Sequence, residues 1–262
     1  MRDIQSDRDF RGIPLKKVGV KGLRYPIKLK DKNNKFQNTI AIVNMYVDLP
    51  HYFRGTHMSR FVEIINKHQM KIDPKHMGVL LTDLKKSLNA EVAHIEFYFP
   101  YFLKKFSPVS KLESYMSYDC SFIVSKAKEI DFITTVKVPV HSLCPCSKEI
   151  SNYSAHNQRG FVTISIRNRK MIWLEELIEI AENSASMPLY SLLKREDEKY
   201  VTEHAYDNPK FVEDIVRDVA LKLDTIPDIF WYRIEVENME SIHNHNAYAC
   251  TERGVANAYK ID

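Results

Sequence analysis

Apolar and polar residues alternate along two early stretches, Leu23 to Lys30 and Thr39 to Leu49, in the manner of half-buried strands. Thr56 then stands where a helix N-cap would be, and Met58, Phe61, Val62 and Ile65 follow at helical spacing. Asp73-Pro74 is a second start signal, an aspartate cap followed by a proline in the first turn. Its stripe is Met77, Leu80, Leu81, Leu84 and Leu88. Two more strand-like runs, Val92 to Phe99 and Tyr115 to Val124, close the first half.

The same order returns. Ile133 to Val140 and Phe161 to Arg167 alternate as strands, and Ile172 to Ser186 carries Leu174, Leu177, Ile178 and Ala181 on one helical side. Asn208-Pro209 repeats the cap-plus-proline device ahead of Val212, Ile215, Val216, Val219 and Leu223. Trp231 to Val236 and Ala247 to Cys250 supply the last strands. The pattern predicts an α+β chain of two ββααββ modules, residues 21–128 and 129–262, behind an N-terminal arm at residues 1–20. Each module is expected to form an antiparallel sheet with its helix pair on one face. Open sheets of this kind leave edges to be covered, which predicts a homo-oligomer with sites where subunits meet.

Composition narrows the chemistry. With 262 residues, 44% hydrophobic and 27% charged, the chain can bury a sizeable core. A net charge of +4 suits an anionic small molecule and is too weak to indicate nucleic acid. No apolar run approaches the roughly 18 residues of a membrane span, and the polar N-terminus resembles no secretory signal, so a cytoplasmic location is expected. Four cysteines in such a chain do not suggest a disulfide framework; Cys120 and Cys250 are expected to be small core residues.

The reactive side chains gather in His141-Ser-Leu-Cys-Pro-Cys-Ser-Lys-Glu-Ile-Ser, followed by Ala155-His-Asn-Gln-Arg-Gly160, held between two predicted strands. Cys144 and His156 can turn back onto one ion across this loop, whereas the Cys-Pro-Cys step makes it awkward for Cys146 to join them. One thiolate, one imidazole and a distant carboxylate make an open, catalytic type of metal site rather than a closed structural one. The carboxylate is sought in Lys194-Arg-Glu-Asp-Glu-Lys-Tyr-Val-Thr-Glu203, where periodicity does not separate Glu196, Glu198 and Glu203. Glu213 borders an apolar stripe, where a carboxylate can accept two N–H donors, although a surface role is the plainer reading. His243 and His245 share a loop, from which an imidazole could shuttle protons. Arg54, Arg60, Lys148 and Arg159 are candidate phosphate ligands. There is neither a P-loop nor a Gly-x-Gly-x-x-Gly, and the zinc-deaminase pattern is absent.

The loop closely resembles that of the type IB GTP cyclohydrolases. The likeness continues through Arg11-Gly-Ile-Pro, Val18-Gly-Val-Lys-Gly-Leu-Arg-Tyr-Pro, Gly55-Thr-His-Met-Ser-Arg-Phe, Leu192-Leu-Lys-Arg, Val201-Thr-Glu-His and Asn208-Pro-Lys-Phe-Val-Glu-Asp. One departure is Ser154, where the family pattern leads one to expect glycine. The resemblance implies a tunnelling fold assembled as a homotetramer with inter-subunit sites. It also implies that metal-activated water opens the guanine ring of GTP at C8, giving 7,8-dihydroneopterin triphosphate and formate. Carried over residue by residue, the metal ligands fall on Cys144, His156 and Glu198, for zinc, manganese or iron. Glu213 falls on the guanine-anchoring glutamate, His243 on a catalytic histidine and Cys146 on the neighbouring cysteine of the site. Arg54, His57, Arg60, Lys148 and Arg159 are the substrate-binding candidates. The runners-up are another tunnelling-fold purine or pterin enzyme and a non-catalytic zinc-stabilised module.

Overall fold

The computed structural model describes residues 4, 5, 7–33, 35–68, 72 and 74–254. The chain is α+β, with antiparallel strand pairing and six helices among the described residues. It divides into two compact units. Among the described residues, one holds those up to Pro100 together with Ser121–Thr134; the other holds Tyr101–Cys120 and residues 135–254.

In the first unit, strand β1 (Leu15–Asp31) pairs antiparallel with β2 (Lys35–Leu49), and β2 pairs with the first part of β3 (Ala93–Phe106). Strand β1 therefore already includes residues 15–20 of the expected N-terminal arm. Because the side-chain period is two, Val43 and Met45 lie on the same face as their cross-strand partners Phe97 and Ile95, and all four are fully buried. Helices α1 (Met58–Lys67) and α2 (Pro74–Leu88) supply Phe61, Ile65, Met77, Leu80, Leu81 and Leu84, also fully buried. Each such side chain is worth roughly 1.5–3 kcal/mol of transfer free energy.

The start of α1 corrects the sequence reading. His57, not Thr56, occupies the N-cap position, and it makes no side-chain capping bond. The buried stripe is Phe61, Ile64 and Ile65, while Met58 and Val62 are exposed, because the i, i+3, i+4 register runs from Phe61. Asp73, the expected cap of α2, lies outside the described residues.

In the second unit, β6 (Asn157–Asn168), β8 (Ile229–Asn238) and β9 (Ala247–Gly254) pair antiparallel in that order. The two-residue strand β7 (Met187–Pro188) pairs with Val140 and His141 near the end of β5 (Ile130–Leu143). Strands β3, β4 (Glu113–Lys126) and β5 contribute residues to both units. The apolar face of β6 and β8 carries Val162, Ile164, Ile234 and Val236. Helix α4 (Leu174–Glu182) contributes Leu177, Ile178 and Ala181 to the core, and α6 (Val212–Asp224) contributes Ile215, Val219 and Leu223.

Two helices went unforeseen. The reactive loop contains α3 (Pro145–Ile150), and the charged run Lys194–Glu203 lies largely within α5 (Arg195–Asp207). Only Asp197 and Ala205 of α5 are buried, so no apolar stripe announces it. Asn208-Pro209 does not open the next helix. Asn208 is the C-cap of α5, and its amide donates to the carbonyls of Ala185 and Ser186 at 3.0 and 3.1 Å. Helix α6 starts at Val212 behind Phe211, whose N–H donates to Asp214 Oδ2 at 3.0 Å. Cys120 is buried as expected, and burial pushes its thiol well up; Cys250, on the outer strand β9, is exposed instead.

Candidate functional site

Strand β5 delivers the reactive segment and β6 carries it away. Leu143 N–H donates to Ser186 Oγ at 3.1 Å, and Leu143 O accepts from Lys210 N–H at 3.1 Å, so the chain entering the site is fixed on both sides. Ser142 is fully buried; its hydroxyl donates to Lys210 O and accepts from Asn238 Nδ2, each at 3.0 Å. Cys144 is the N-cap of α3. Its Sγ accepts from Ser147 N–H at 3.5 Å, and Pro145 supplies the fixed φ that a first helical position tolerates.

The segment then doubles back. Cys144 N–H donates to His156 O at 3.2 Å, and His156 N–H donates to Ser147 Oγ at 3.2 Å. The backbones of Cys144 and His156 are thus side by side. The hydrogen bonds and ion-pair contact of the His156 ring among the described residues are made at Nδ1: Gln158 Oε1 at 3.1 Å, Ser241 Oγ at 3.3 Å and, further off, Glu240 Oε2 at 4.0 Å. That leaves Nε2 as the ring atom open to an ion.

The loop between β8 and β9 is tied to this place. Met239 N–H donates to Arg159 O at 2.9 Å, and Gln158 Nε2 donates to Glu240 Oε1 at 3.4 Å. His243 and His245 lie in that loop, both exposed, their rings stacked with centroids 5.2 Å apart. Gln158, Glu240 and Ser241 were not singled out from sequence. Glu240 and Ser241 open the segment that holds both histidines, and Gln158 lies two residues past His156; only the fold shows that they meet.

The other candidates are spread more widely. Cys146 is exposed on α3. Lys148 Nζ donates to Tyr206 O at 2.6 Å and lies 4.2 Å from the centre of the Tyr206 ring. Glu198 is exposed on α5, with Oε2 3.7 Å from Arg195 Nη1. Glu213 is exposed in the first turn of α6 and lines a groove of about 440 Å³ with Val216, Ala220, Ala249 and Thr251. Arg159 is exposed. In the first unit, Arg60 Nη1 donates to Ser87 O at 2.7 Å, His57 caps α1, and Arg54 lines a groove with Arg8 and Arg11.

Among the described residues, no three His, Cys, Asp or Glu side chains stand close enough to hold a metal ion. The donors that this chain does assemble still fit one. A thiol and an imidazole with its second nitrogen already hydrogen-bonded are the soft and borderline ligands of an open zinc-like site.

A sequence profile described as "GCHY-1: Type I GTP cyclohydrolase folE2" matches residues 1–249. The chain belongs to that family. A GTP cyclohydrolase FolE2 from Thermosipho africanus is 60% identical over 251 residues, covering 95% of this chain and 97% of its own. One from Kosmotoga olearia is 55% identical, with 97% and 99% covered. Among solved structures, the urate oxidase from Bacillus sp. TB-90 aligns with a TM-score of 0.55 at 8% identity, covering 92% of this chain and all of that one. The uricase from Arthrobacter globiformis aligns with a TM-score of 0.54 at 7% identity, covering 93% and 95%. At such identities the likeness concerns the fold alone, which is the tunnelling fold.

Proposed function

We propose that this chain opens the guanine imidazole ring of GTP at C8 and releases formate, forming 7,8-dihydroneopterin triphosphate. Family membership supports the GTP cyclohydrolase activity, and the placement of Cys144 beside His156, with Nδ1 of the histidine engaged, is the observation that carries the site. A divalent ion, whether zinc, manganese or iron, would supply Lewis-acid activation of water there.

In this reading Glu213 accepts from N1–H and the exocyclic amine of guanine, which turns C8 toward the metal loop. His243 donates a proton to N7 as the C8–N bond weakens. Cys146, exposed on α3, is open to substrate. The basic side chains Arg54, His57, Arg60, Lys148 and Arg159 are the set from which triphosphate contacts are drawn.

Glu198 is the third ligand, and it comes from a second copy. Among the described residues of one chain no carboxylate joins Cys144 and His156 closely enough to complete a three-ligand group, and a neighbouring subunit is the source that supplies one. Strands β1 and β9 each pair on one side only among the described residues, which suits side-by-side assembly into a homotetramer of two-module chains. No described helix is long and apolar enough to cross a membrane.

Formate release and pterin fluorescence from GTP test the activity, with Cys144→Ala and His156→Ala expected to abolish both. Mixing Cys144→Ala with Glu198→Gln subunits tests the shared site. Mixed assemblies should regain a fraction of wild-type turnover, and no regain would place Glu198 outside a site built from two copies.

A further inference from the structure

We propose that Gln158 is a positioning residue for His156: its amide fixes the imidazole in the Nδ1–H tautomer and so keeps Nε2 as a metal donor. The inference rests on the metal reading above and concerns a residue to which that reading gives no part. Gln158 is buried, 7% exposed, as the second residue of β6. One end of its amide meets His156 Nδ1 at 3.1 Å and the other meets Glu240 Oε1 at 3.4 Å.

The chemistry of the three groups leaves one consistent arrangement. An ionised carboxylate only accepts, so the amide nitrogen faces Glu240. The amide oxygen then faces the imidazole, and an amide oxygen also only accepts, so Nδ1 carries the hydrogen. Ser241 Oγ, at 3.3 Å, can donate or accept and does not choose the tautomer; Glu240 Oε2, at 4.0 Å, is beyond hydrogen-bond reach of Nδ1. Free histidine favours the opposite tautomer, with hydrogen on Nε2, which cannot ligate through that atom. Outer partners of this kind orient a ligating imidazole and raise its basicity. The same amide joins the metal loop to the β8–β9 loop that carries His243.

The test uses the full-length protein. Nitrogen-15 NMR of the metal-free form reads the tautomer of His156, identified among the 10 histidines by its loss in His156→Gln. Wild type should show Nδ1–H. Gln158→Leu, and more completely Gln158→Leu with Ser241→Ala, should shift the ring toward Nε2–H, while Gln158→Glu, which still accepts, should keep Nδ1–H. Zinc affinity measured against a competing chelator should fall roughly 10–100-fold in the Leu variant and much less in the Glu variant. Circular dichroism establishes that each variant is folded. An unchanged tautomer in both Leu-containing variants overturns the proposal. If the tautomer responds to Gln158 but His156→Ala leaves zinc affinity unchanged, the metal reading fails while the control of the tautomer stands.

Discussion

The side-chain oxygen of Asn238 lies 2.1 Å from the point where a Cβ on residue 160 would stand. Residue 160 is glycine, and the two residues face each other in the β6–β8 ladder. Asn238 is thereby able to press against β6 while its amide donates to Ser142 Oγ at 3.0 Å, two residues ahead of Cys144. A methyl group at 160 must push Asn238 away and break that bond. Gly160→Ala is expected to cost about 1–3 kcal/mol, the range for overpacking a tight site. Thermal unfolding checks the stability, and zinc titration should show weakened binding, since the bond steadies the strand that leads to the metal loop.

Ser154 has φ of +97°, in the region that favours glycine, which matches the departure from the family pattern noted in the sequence. Ser154→Gly removes that strain and should stabilise the protein by about 1 kcal/mol, or raise Tm by roughly 2–4 °C. An unchanged or lower Tm in calorimetry would show that the turn is not strained.

Asp83 joins the two helices of the first unit: its Oδ2 accepts from Lys67 Nζ and meets His68 Nε2, each at 3.0 Å. The hydrogen bond from Lys67 is the chief reason its carboxyl lies below the usual range; desolvation opposes this and His68 assists it. A carboxyl lowered by folding contributes stability that is complete above its unfolded pKa, about 4, and is lost as pH falls through the folded value. Asp83→Asn should therefore cost roughly 0.2–1 kcal/mol near pH 7, the scale of a partly exposed ion pair, with wild type and variant converging near pH 2. Denaturant titrations at the two pH values would detect parallel offsets if this sign is wrong.

Removing metal should end formate release and leave the fold standing. The buried cores are built from side chains such as Phe61, Leu81, Ile164 and Val219, and the chain entering the site is held by Ser186 and Lys210 through ordinary hydrogen bonds. Chelation is expected to leave far-UV circular dichroism unchanged, with turnover restored by a divalent ion. Cooperative loss of secondary structure on chelation would instead mark a structural metal.

A buried carboxylate next to Glu198 shows why part of the site was hidden. Asp197 is fully buried and accepts from Val109 N–H, Ser110 N–H, Ser110 Oγ and Lys194 N–H at 2.6–2.9 Å. Burial alone would raise its pKa, but these donors, Ser110 foremost, outweigh it and hold the carboxyl well below the usual range. Nothing in a run of charged residues marks one of them as interior. Helix α5 buries only Asp197 and Ala205 and has no apolar stripe, so periodicity neither announces the helix nor separates Glu196, Glu198 and Glu203.

By itself the sequence determined what local periodicity and local spacing can carry. The strand alternation in β2 and β3, the stripes of α2, α4 and α6, and the gathering of Cys144 and His156 in one short segment are set by residues close together in the chain, where pleat and helical pitch fix which side chains share a face. Tertiary structure decided what depends on partners far away in sequence. Asn208 ends a helix because the carbonyls of Ala185 and Ser186 lie within its reach. Gln158 and Glu240, eighty-two positions apart, meet because β6 and β8 are neighbours. A hydrogen bond has no period, so groups like these become legible only once the chain has folded.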